Sequence, residues 1–110
     1  MWYIVIAMEH QDAAKKLAEL GHTTRLAIYR LLVKAGPDGL AVSAIQEQLD
    51  IPGSTLSHHI SRLVSSGLMV QKREGRVLRC EACFPELMGL VNYLMEECCM
   101  TPGQESVNCN

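Results

Sequence analysis

The apolar and polar positions at the start of the chain predict two consecutive helices. Residues 11–20 are rich in good helix formers and stop at Gly21. A second helix is predicted over residues 25–35, with Thr23 or Thr24 placed to cap its N-terminus. Because only a few residues separate these segments, the two helices should meet at a tight corner.

The middle of the chain predicts a short helix followed by a longer one. Residues 40–42 are apolar and short enough to form a small strand. Ser43, with Gln46 three residues later, has the spacing of a capping box for a third helix of about two turns. Pro52 near the first helical position and Gly67 in the C-terminal position then bound a fourth helix.

The last third of the chain predicts a β-hairpin and a final amphipathic helix. Residues 68–80 have β-favouring side chains on both sides of Glu74 and Gly75, which indicates two strands joined by a basic tip. Pro85 can start a helix with one apolar stripe. The stripe comprises Leu87, Leu90, Val91, Leu94, Met95 and Cys98.

The composition fits one folded domain. The chain has 110 residues, of which 48% are hydrophobic and 20% are charged. The apolar run over residues 2–8 is far shorter than a membrane span and lacks the pattern of a secretory signal, so we expect a cytoplasmic protein without membrane contact. We expect an N-terminal extension (1–9), one domain (10–100) and a flexible cysteine-containing tail (101–110).

The charge is uneven although the formal net charge is only -2. Residues 30–79 contain seven Lys or Arg and four Asp or Glu, whereas the chain from residue 80 onward contains five acids and no Lys or Arg. This asymmetry predicts a basic working surface in the middle of the chain. The five cysteines, an odd number at irregular spacing, favour free thiols in a reducing compartment.

A short helix, a turn, a longer helix and a basic hairpin follow one another in the order of a winged helix-turn-helix. The expected fold class is therefore mainly α with a small β-hairpin. In this fold the second helix of the motif enters the major groove of DNA and the hairpin, or wing, contacts the backbone or minor groove. On the fourth helix, an angle of 100° per residue places Leu56, Ile60, Leu63 and Val64 on the apolar side.

The opposite side of the fourth helix is small, polar and partly cationic. It carries Ser54, Thr55, His58, Ser61, Arg62 and Ser65. Hydroxyl groups near a helix start can bind phosphate, and Arg62 or His58 can donate to purine acceptors. His59 lies on the flank, where it can contact DNA or pack against the core. The residues predicted to contact double-stranded DNA are Ser54, Thr55, Ser57, His58, His59, Arg62, Lys72, Arg73 and Arg76.

Two stretches of the sequence resemble the arsenic-repressor (ArsR/SmtB) family of bacterial winged-helix regulators, over residues 10–100. They are LGHTTRLAIYRLL and STLSHHISRLVSSGLMVQKREGR, with Gly-His-x-Thr-Arg-Leu, Ser-x-Leu-Ser-His-His and Glu-Gly-Arg as the most specific parts. The resemblance implies a homodimer joined by the first and last helices. It also implies repression of transcription until an inducer binds and lowers the affinity for the operator. Family members begin near Met8, which leaves open whether residues 1–7 are native.

The resemblance also shows a departure at the sensing sites. Many arsenic and cadmium sensors of the family carry a Cys-x-Cys pair where this chain has residues 40–43, which contain no cysteine. Zinc sensors place histidines and carboxylates on the last helix, but the matching segment here has thiols, two glutamates and no histidine. Soft thiolates select thiophilic centres, so trivalent arsenic or antimony is the predicted inducer, with Cys98, Cys99 and Cys109 as ligands. No cofactor is expected to be required.

The geometry of these thiols sets a condition. Adjacent residues of an intact helix point about 100° apart, so Cys98 and Cys99 can share one centre only if the helix ends before them. Otherwise Cys98 is a small apolar residue in a dimer contact. Cys80 and Cys83 have metal-like spacing, but on a continuous helix Cys83 lies about 22 Å from Cys98, so only a site bridging the dimer could join them.

Three other functions compete with metalloid sensing. A redox or persulfide sensor uses the same scaffold, although such sensors pair a cysteine of the second helix with one of the last, and residues 22–36 contain no cysteine. A winged helix that binds protein instead of DNA would lack a salt-sensitive DNA affinity. An enzyme is not expected, because no recognisable spacing assembles a nucleophile, a base and an oxyanion site.

Overall fold

The computed structural model describes residues 7–100, which form a helical domain with a small antiparallel sheet and confirm the predicted fold class. The helices are α1 (His10–Leu20), α2 (Thr23–Ala35), α3 (Val42–Leu49), α4 (Gly53–Ser65) and α5 (Phe84–Met95). The strands are β1 (Leu40–Ala41), β2 (Met69–Glu74) and β3 (Val77–Ala82). One turn of 3-10 helix, Gly36–Asp38, connects α2 to β1.

The sheet has the order β1-β3-β2, with both pairings antiparallel. Leu40 and Gln71 both pair with Cys80, so β3 lies in the centre of the sheet and β1 and β2 form its two edges. Gly75, with φ of 63°, forms the turn between β2 and β3. The predicted hairpin is therefore confirmed, and its tip extends away from the core as a wing.

The core lies between α2, α3, α4 and the base of the sheet. Ile28, Ile45, Leu56 and Leu63 have no solvent exposure and place one or two aliphatic side chains from each of these helices in contact. The apolar side predicted for α4 is thus buried, except that Val64 is 38% exposed. Val64 lies at the edge of the apolar stripe and faces a hollow between α4 and the wing.

Two predicted helix caps are wrong. Helix α2 begins at Thr23, and the backbone N–H of Thr24 donates to Nδ1 of His22 (3.1 Å), so neither threonine is the cap. Helix α3 begins at Val42 directly after β1 and has no side-chain cap, which places Ser43 inside the helix. The predicted capping box fails because the strand pairing of Ala41 with Arg79 fixes where the helix starts.

The prediction for the last helix is wrong at its C-terminal end. Helix α5 stops at Met95 and Glu96 is extended, with ψ of 148°, so Cys98 does not continue the apolar stripe. Of that stripe Leu90 is buried, whereas Leu94 and Met95 are 57% and 60% exposed. One face of α5 is therefore apolar and uncovered in the single chain. None of the helices within residues 7–100 has the length and hydrophobicity that crossing a bilayer requires.

Candidate DNA-binding surface and thiol pair

Helix α4 presents a face of small polar side chains to solvent. Its buried residues, among them Leu56 and Leu63, anchor the helix on the core and fix which face points outward. The exposed residues on the outward side are Ser54, Thr55, Ser57, His58, Ser61 and Ser65. Short hydroxyl side chains leave the helix axis free to approach a DNA groove closely. This is the surface expected from the sequence, and its DNA contacts stay a prediction.

Arg62, at the side of this face, is bound by a carboxylate from α1. Its Nε donates to Oε1 of Glu19 at 3.0 Å and its Nη2 donates to Oε2 at 2.9 Å. These hydrogen bonds lower the pKa of the Glu19 carboxyl below its ordinary value, and burial only partly opposes them. The predicted base contact of Arg62 therefore has to compete with a bidentate ion pair inside the protein.

His59 of α4 lies in a cluster of basic side chains with Arg25, His22 and His58. It is 7% exposed, and its Nδ1 lies 3.2 Å from Nη1 of Arg25. Because a guanidinium can only donate, Nδ1 of His59 is the acceptor and carries no proton. The rings of His22 and His58 lie 4.7 and 5.9 Å from the His59 ring, between centroids.

Burial, and then the nearby basic side chains of His22, Arg25 and His58, lower the pKa of His59. The imidazole is therefore neutral at physiological pH. Its burial favours the alternative in which His59 packs inside the domain, since little of its surface is left for DNA.

One face of the wing consists of ion pairs. Nζ of Lys72 lies 3.2 Å from Oε1 of Glu81, and Nε of Arg79 donates to Oε1 of Glu74 at 2.9 Å. Since side chains alternate along a strand, these residues share a face that the neighbouring positions do not. Lys72, predicted to contact DNA, thus has its charge partly neutralised within the protein.

The other face of the wing carries cations without an ion pair. Within residues 7–100, neither Arg73 nor Arg76 has a carboxylate within salt-bridge distance. Together with Ser43 they line a cleft of about 250 Å³ between the wing and the start of α3. Within the wing, the positive charge available to an anionic partner is therefore concentrated at these two arginines.

A hollow with both apolar and polar walls joins the wing to the outward face of α4. Its volume is about 420 Å³, and its polar lining includes Ser61 and Ser65 from α4 and Gln71 from β2. The predicted DNA-contacting set omitted these three residues. Helical angle already placed the two serines on the outer side, and alternation places Gln71 on the same face of β2 as Arg73. The hollow makes α4 and the wing one continuous surface.

Cys98 and Cys99 meet the condition for sharing a ligand. The chain leaves the helix after Met95, and Glu97 and Cys99 adopt positive φ of 61° and 59°. The two Sγ atoms lie 3.6 Å apart, and both side chains are exposed. Two thiolates on one tetrahedral metal at about 2.3 Å each would lie about 3.8 Å apart, so the observed spacing suits one shared thiophilic centre.

The neighbouring thiol influences the ionisation of Cys98. The hydrogen bond between the two sulfurs and the charge of Cys99 raise the pKa of Cys98. Removal of both protons therefore requires a ligand that compensates the resulting negative charge.

Among the described residues, Cys80 and Cys83 do not join this pair. Cys80 is fully buried in β3, and burial raises the pKa of its thiol to about 11. Cys83 is half-buried at the N-cap of α5, at the opposite end of that helix from Cys98. Among residues 7–100, His, Cys, Asp and Glu side chains form no group of three or more that could hold a metal ion. Cys109, the predicted third ligand, lies outside the described residues.

The sequence is similar to known transcriptional regulators. A family model described as a helix-turn-helix domain matches residues 20–72. An uncharacterised helix-turn-helix regulator of Methanocaldococcus jannaschii is 33% identical over 67 residues, which span 61% of this chain and 73% of that protein. A candidate arsenical resistance operon repressor, ArsR, of Halobacterium salinarum is 35% identical over 60 residues, spanning 54% of this chain and 46% of that protein.

The structure is similar to solved winged helix-turn-helix domains. One of them is the homodimeric DNA-binding domain of a possible ArsR-family regulator from Mycobacterium bovis. Its TM-score to this chain is 0.62 at 27% sequence identity, and the match covers 79% of this chain and 81% of that domain. Sequence and structure comparisons thus agree on the same class of protein.

Proposed function

Because this chain belongs to the ArsR family of winged helix-turn-helix transcriptional regulators, we propose that it is a homodimeric repressor released from its operator by trivalent arsenic or antimony. The observation that carries DNA binding is the continuous surface formed by the serine-rich face of α4 and the two unpaired arginines of the wing. Helix α4 enters the major groove and reads base edges. Arg73 and Arg76 bind the phosphate backbone and hold the register.

The homodimer is supported by the uncovered apolar faces of the first and last helices. Leu17 of α1 and Val91, Leu94 and Met95 of α5 are each more than 40% exposed. Contiguous apolar surface of this kind marks protein–protein contact sites, and a similar domain is homodimeric. Leu94→Glu should convert the dimer to a monomer in sedimentation equilibrium, whereas Gln11→Glu on the exposed polar face of α1 should not. A dimer that persists in the Leu94 variant would place the contact elsewhere.

Metalloid sensing is assigned to Cys98 and Cys99. In the proposed reaction each thiol replaces one hydroxyl of arsenous acid, forming two As–S bonds and releasing two waters, while arsenic stays trivalent. The third position on arsenic is taken by Cys109 or keeps its hydroxyl. The name of the Halobacterium relative supports arsenic over other thiophilic ligands.

The proposed coupling runs from the thiols to the dimer contact. Only Glu96 and Glu97 separate Cys98 and Cys99 from Leu94 and Met95, the most exposed apolar residues of α5. Binding of arsenic orders this end of the chain against the partner subunit and changes the spacing of the two α4 helices. A coupling free energy of about 1–3 kcal/mol would weaken operator binding about 5–150-fold.

The test separates DNA binding from sensing. A duplex selected from a random-sequence library by the wild-type protein serves as the operator probe in fluorescence anisotropy. Cys98→Ser and Cys99→Ser should bind this duplex with wild-type affinity and should not be released by arsenite. Cys83→Ser, the matched control, should be released like the wild type. Release of the Cys98 and Cys99 variants by arsenite would exclude the pair as the sensor.

A redox sensor is a second candidate that the same sulfur distance favours. Hydrogen peroxide would oxidise the two thiols to one disulfide, with reduction of the peroxide to two waters. Exposure of both side chains permits this reaction. Release by peroxide, reversed by dithiothreitol and absent in Cys99→Ser, would favour this function over metalloid sensing.

A further inference from the structure

A single carboxylate connects the first helix to the recognition helix. Glu19, in the last turn of α1, binds Arg62 of α4 through both carboxylate oxygens. The same residue binds Arg25 of α2, whose Nε donates to the Glu19 carbonyl at 2.7 Å and lies 3.5 Å from Oε1. Arg25 in turn donates to His59 of α4. We refer to Glu19, Arg25, His59 and Arg62 as the Glu19 clamp.

We propose that Glu19 is a positioning residue for DNA recognition, and that Arg62 acts through Glu19 to orient α4 instead of reading a base. This inference rests on the proposed DNA binding. The clamp contacts α4 at two residues, His59 and Arg62, which are three positions apart. It therefore holds about one turn of the recognition helix. Ser61, on the outward face, lies within that turn, and His58 directly precedes it.

The burial of Glu19 fixes the geometry of its contact with Arg62. Its side chain is only 10% exposed and accepts hydrogen bonds from a planar guanidinium fork, which fixes both direction and distance. Arg62 is half-exposed, so the ion pair contributes modestly to stability because water screens it. The consequence of breaking the clamp should therefore appear in the orientation of α4 more than in folding.

The position of Glu19 on α1 gives the clamp its function. Helix α1 is one of the two helices assigned to the dimer contact, so a rigid link from α1 to α4 fixes the spacing between the two α4 helices of the dimer. Specific binding to two half-sites depends on that spacing. Non-specific binding depends mainly on the charge of the surface.

The experiment compares two DNA probes. The first is the duplex selected by the wild-type protein, and the second is a duplex of random sequence and equal length. Glu19→Gln and Arg62→Ala should each weaken binding to the selected duplex about tenfold, which corresponds to one lost charged hydrogen-bond pair. The double variant should be no more than about threefold weaker than either single variant, since both substitutions break one interaction.

Binding to the random duplex separates positioning from loss of structure. It should change less than about twofold in these variants, because the cations that contact phosphate are unaffected. Glu9→Gln, an exposed charge change at the residue directly before the same helix, should leave both affinities unchanged. If Glu19→Gln lowers the fraction folded, Arg62→Lys carries the test, since it keeps the charge but loses the guanidinium fork and should also weaken selective binding.

Several outcomes would overturn the inference. If Arg62→Ala loses discrimination at one base pair while Glu19→Gln binds normally, Arg62 reads a base. If Glu19→Gln binds the selected duplex more tightly than the wild type, Glu19 masks Arg62 instead of positioning it. Failure of the library selection to enrich any sequence would instead refute the proposed function, and the role of Glu19 with it.

Discussion

Arg73 and Arg76 are predicted to supply the salt-dependent part of DNA binding by the wing. Replacing either with Ala removes a cation that no carboxylate neutralises within residues 7–100. Each phosphate contact releases counterions, so the slope of log K against log salt concentration falls by about 0.9 per contact. In a homodimer each substitution occurs twice, which predicts a slope less steep by about 1.8.

The predicted change in the salt-dependence slope is large enough to measure directly. Over a fourfold rise in salt concentration, a slope difference of about 1.8 corresponds to a factor of about 12 in affinity. The assay is anisotropy of a labelled random-sequence duplex between 50 and 200 mM salt, concentrations at which the effect is expected to be clear. Sequence selection is unnecessary because phosphate contacts do not depend on base identity.

Lys72→Ala is the matched control on the same strand. Its ammonium group is already paired with Glu81 at 3.2 Å, so removing it also releases a carboxylate and should change the slope by less than half as much. The reasoning would be refuted if Lys72→Ala had the larger effect, or if Arg73→Ala and Arg76→Ala left the slope unchanged.

Two further predictions concern stability. His59 has a lowered pKa in the fold, so unfolding takes up a proton below its ordinary pKa of 6.5. The free energy of unfolding in urea should therefore fall as the pH decreases below about 6.5, by no more than about 1.4 kcal/mol per pH unit, and should fall less in His59→Gln; an identical profile in that variant would exclude His59 as the cause. Gly39→Ala places a Cβ 2.1 Å from the carbonyl oxygen of Cys80 at φ of 67° and should cost at least ~3 kcal/mol in thermal or urea unfolding, whereas Gly75→Ala, at φ of 63° with no atom nearby, should cost about 1–2 kcal/mol. Equal losses in the two glycine variants would show that backbone strain, not the close contact, dominates.

Much of the fold could be predicted from local signals because glycine residues mark several of the turns between elements. Gly21, Gly67 and the Glu74-Gly75 turn lie where the chain changes direction, and the apolar period of α4 matches its burial at Leu56 and Leu63. The errors occurred where tertiary structure overrides local preference. Ser43 has capping-box spacing, but the strand pairing that precedes it determines where α3 begins.

The candidate site could be predicted only as a set of exposed residue types. Helical angle placed Arg62 among the polar residues of α4 but could not show that Glu19, 43 positions earlier, binds it. His59 was ambiguous for the same reason, since its partner Arg25 comes from another helix. The sequence shows that Cys98 and Cys99 can share a ligand only if α5 ends before them, but no glycine at that point predicts where the helix ends. Contacts between distant parts of a chain have no local signature in the sequence.

We propose that trivalent arsenic or antimony releases this protein from DNA through Cys98 and Cys99. The most direct measurement is a titration of the wild-type protein, bound to its selected duplex, with arsenite, antimonite, zinc, cadmium, peroxide and polysulfide in turn. Arsenite and antimonite should each dissociate the complex, and neither should do so in Cys99→Ser. Dissociation by zinc, peroxide or polysulfide while arsenite and antimonite have no effect would contradict the account.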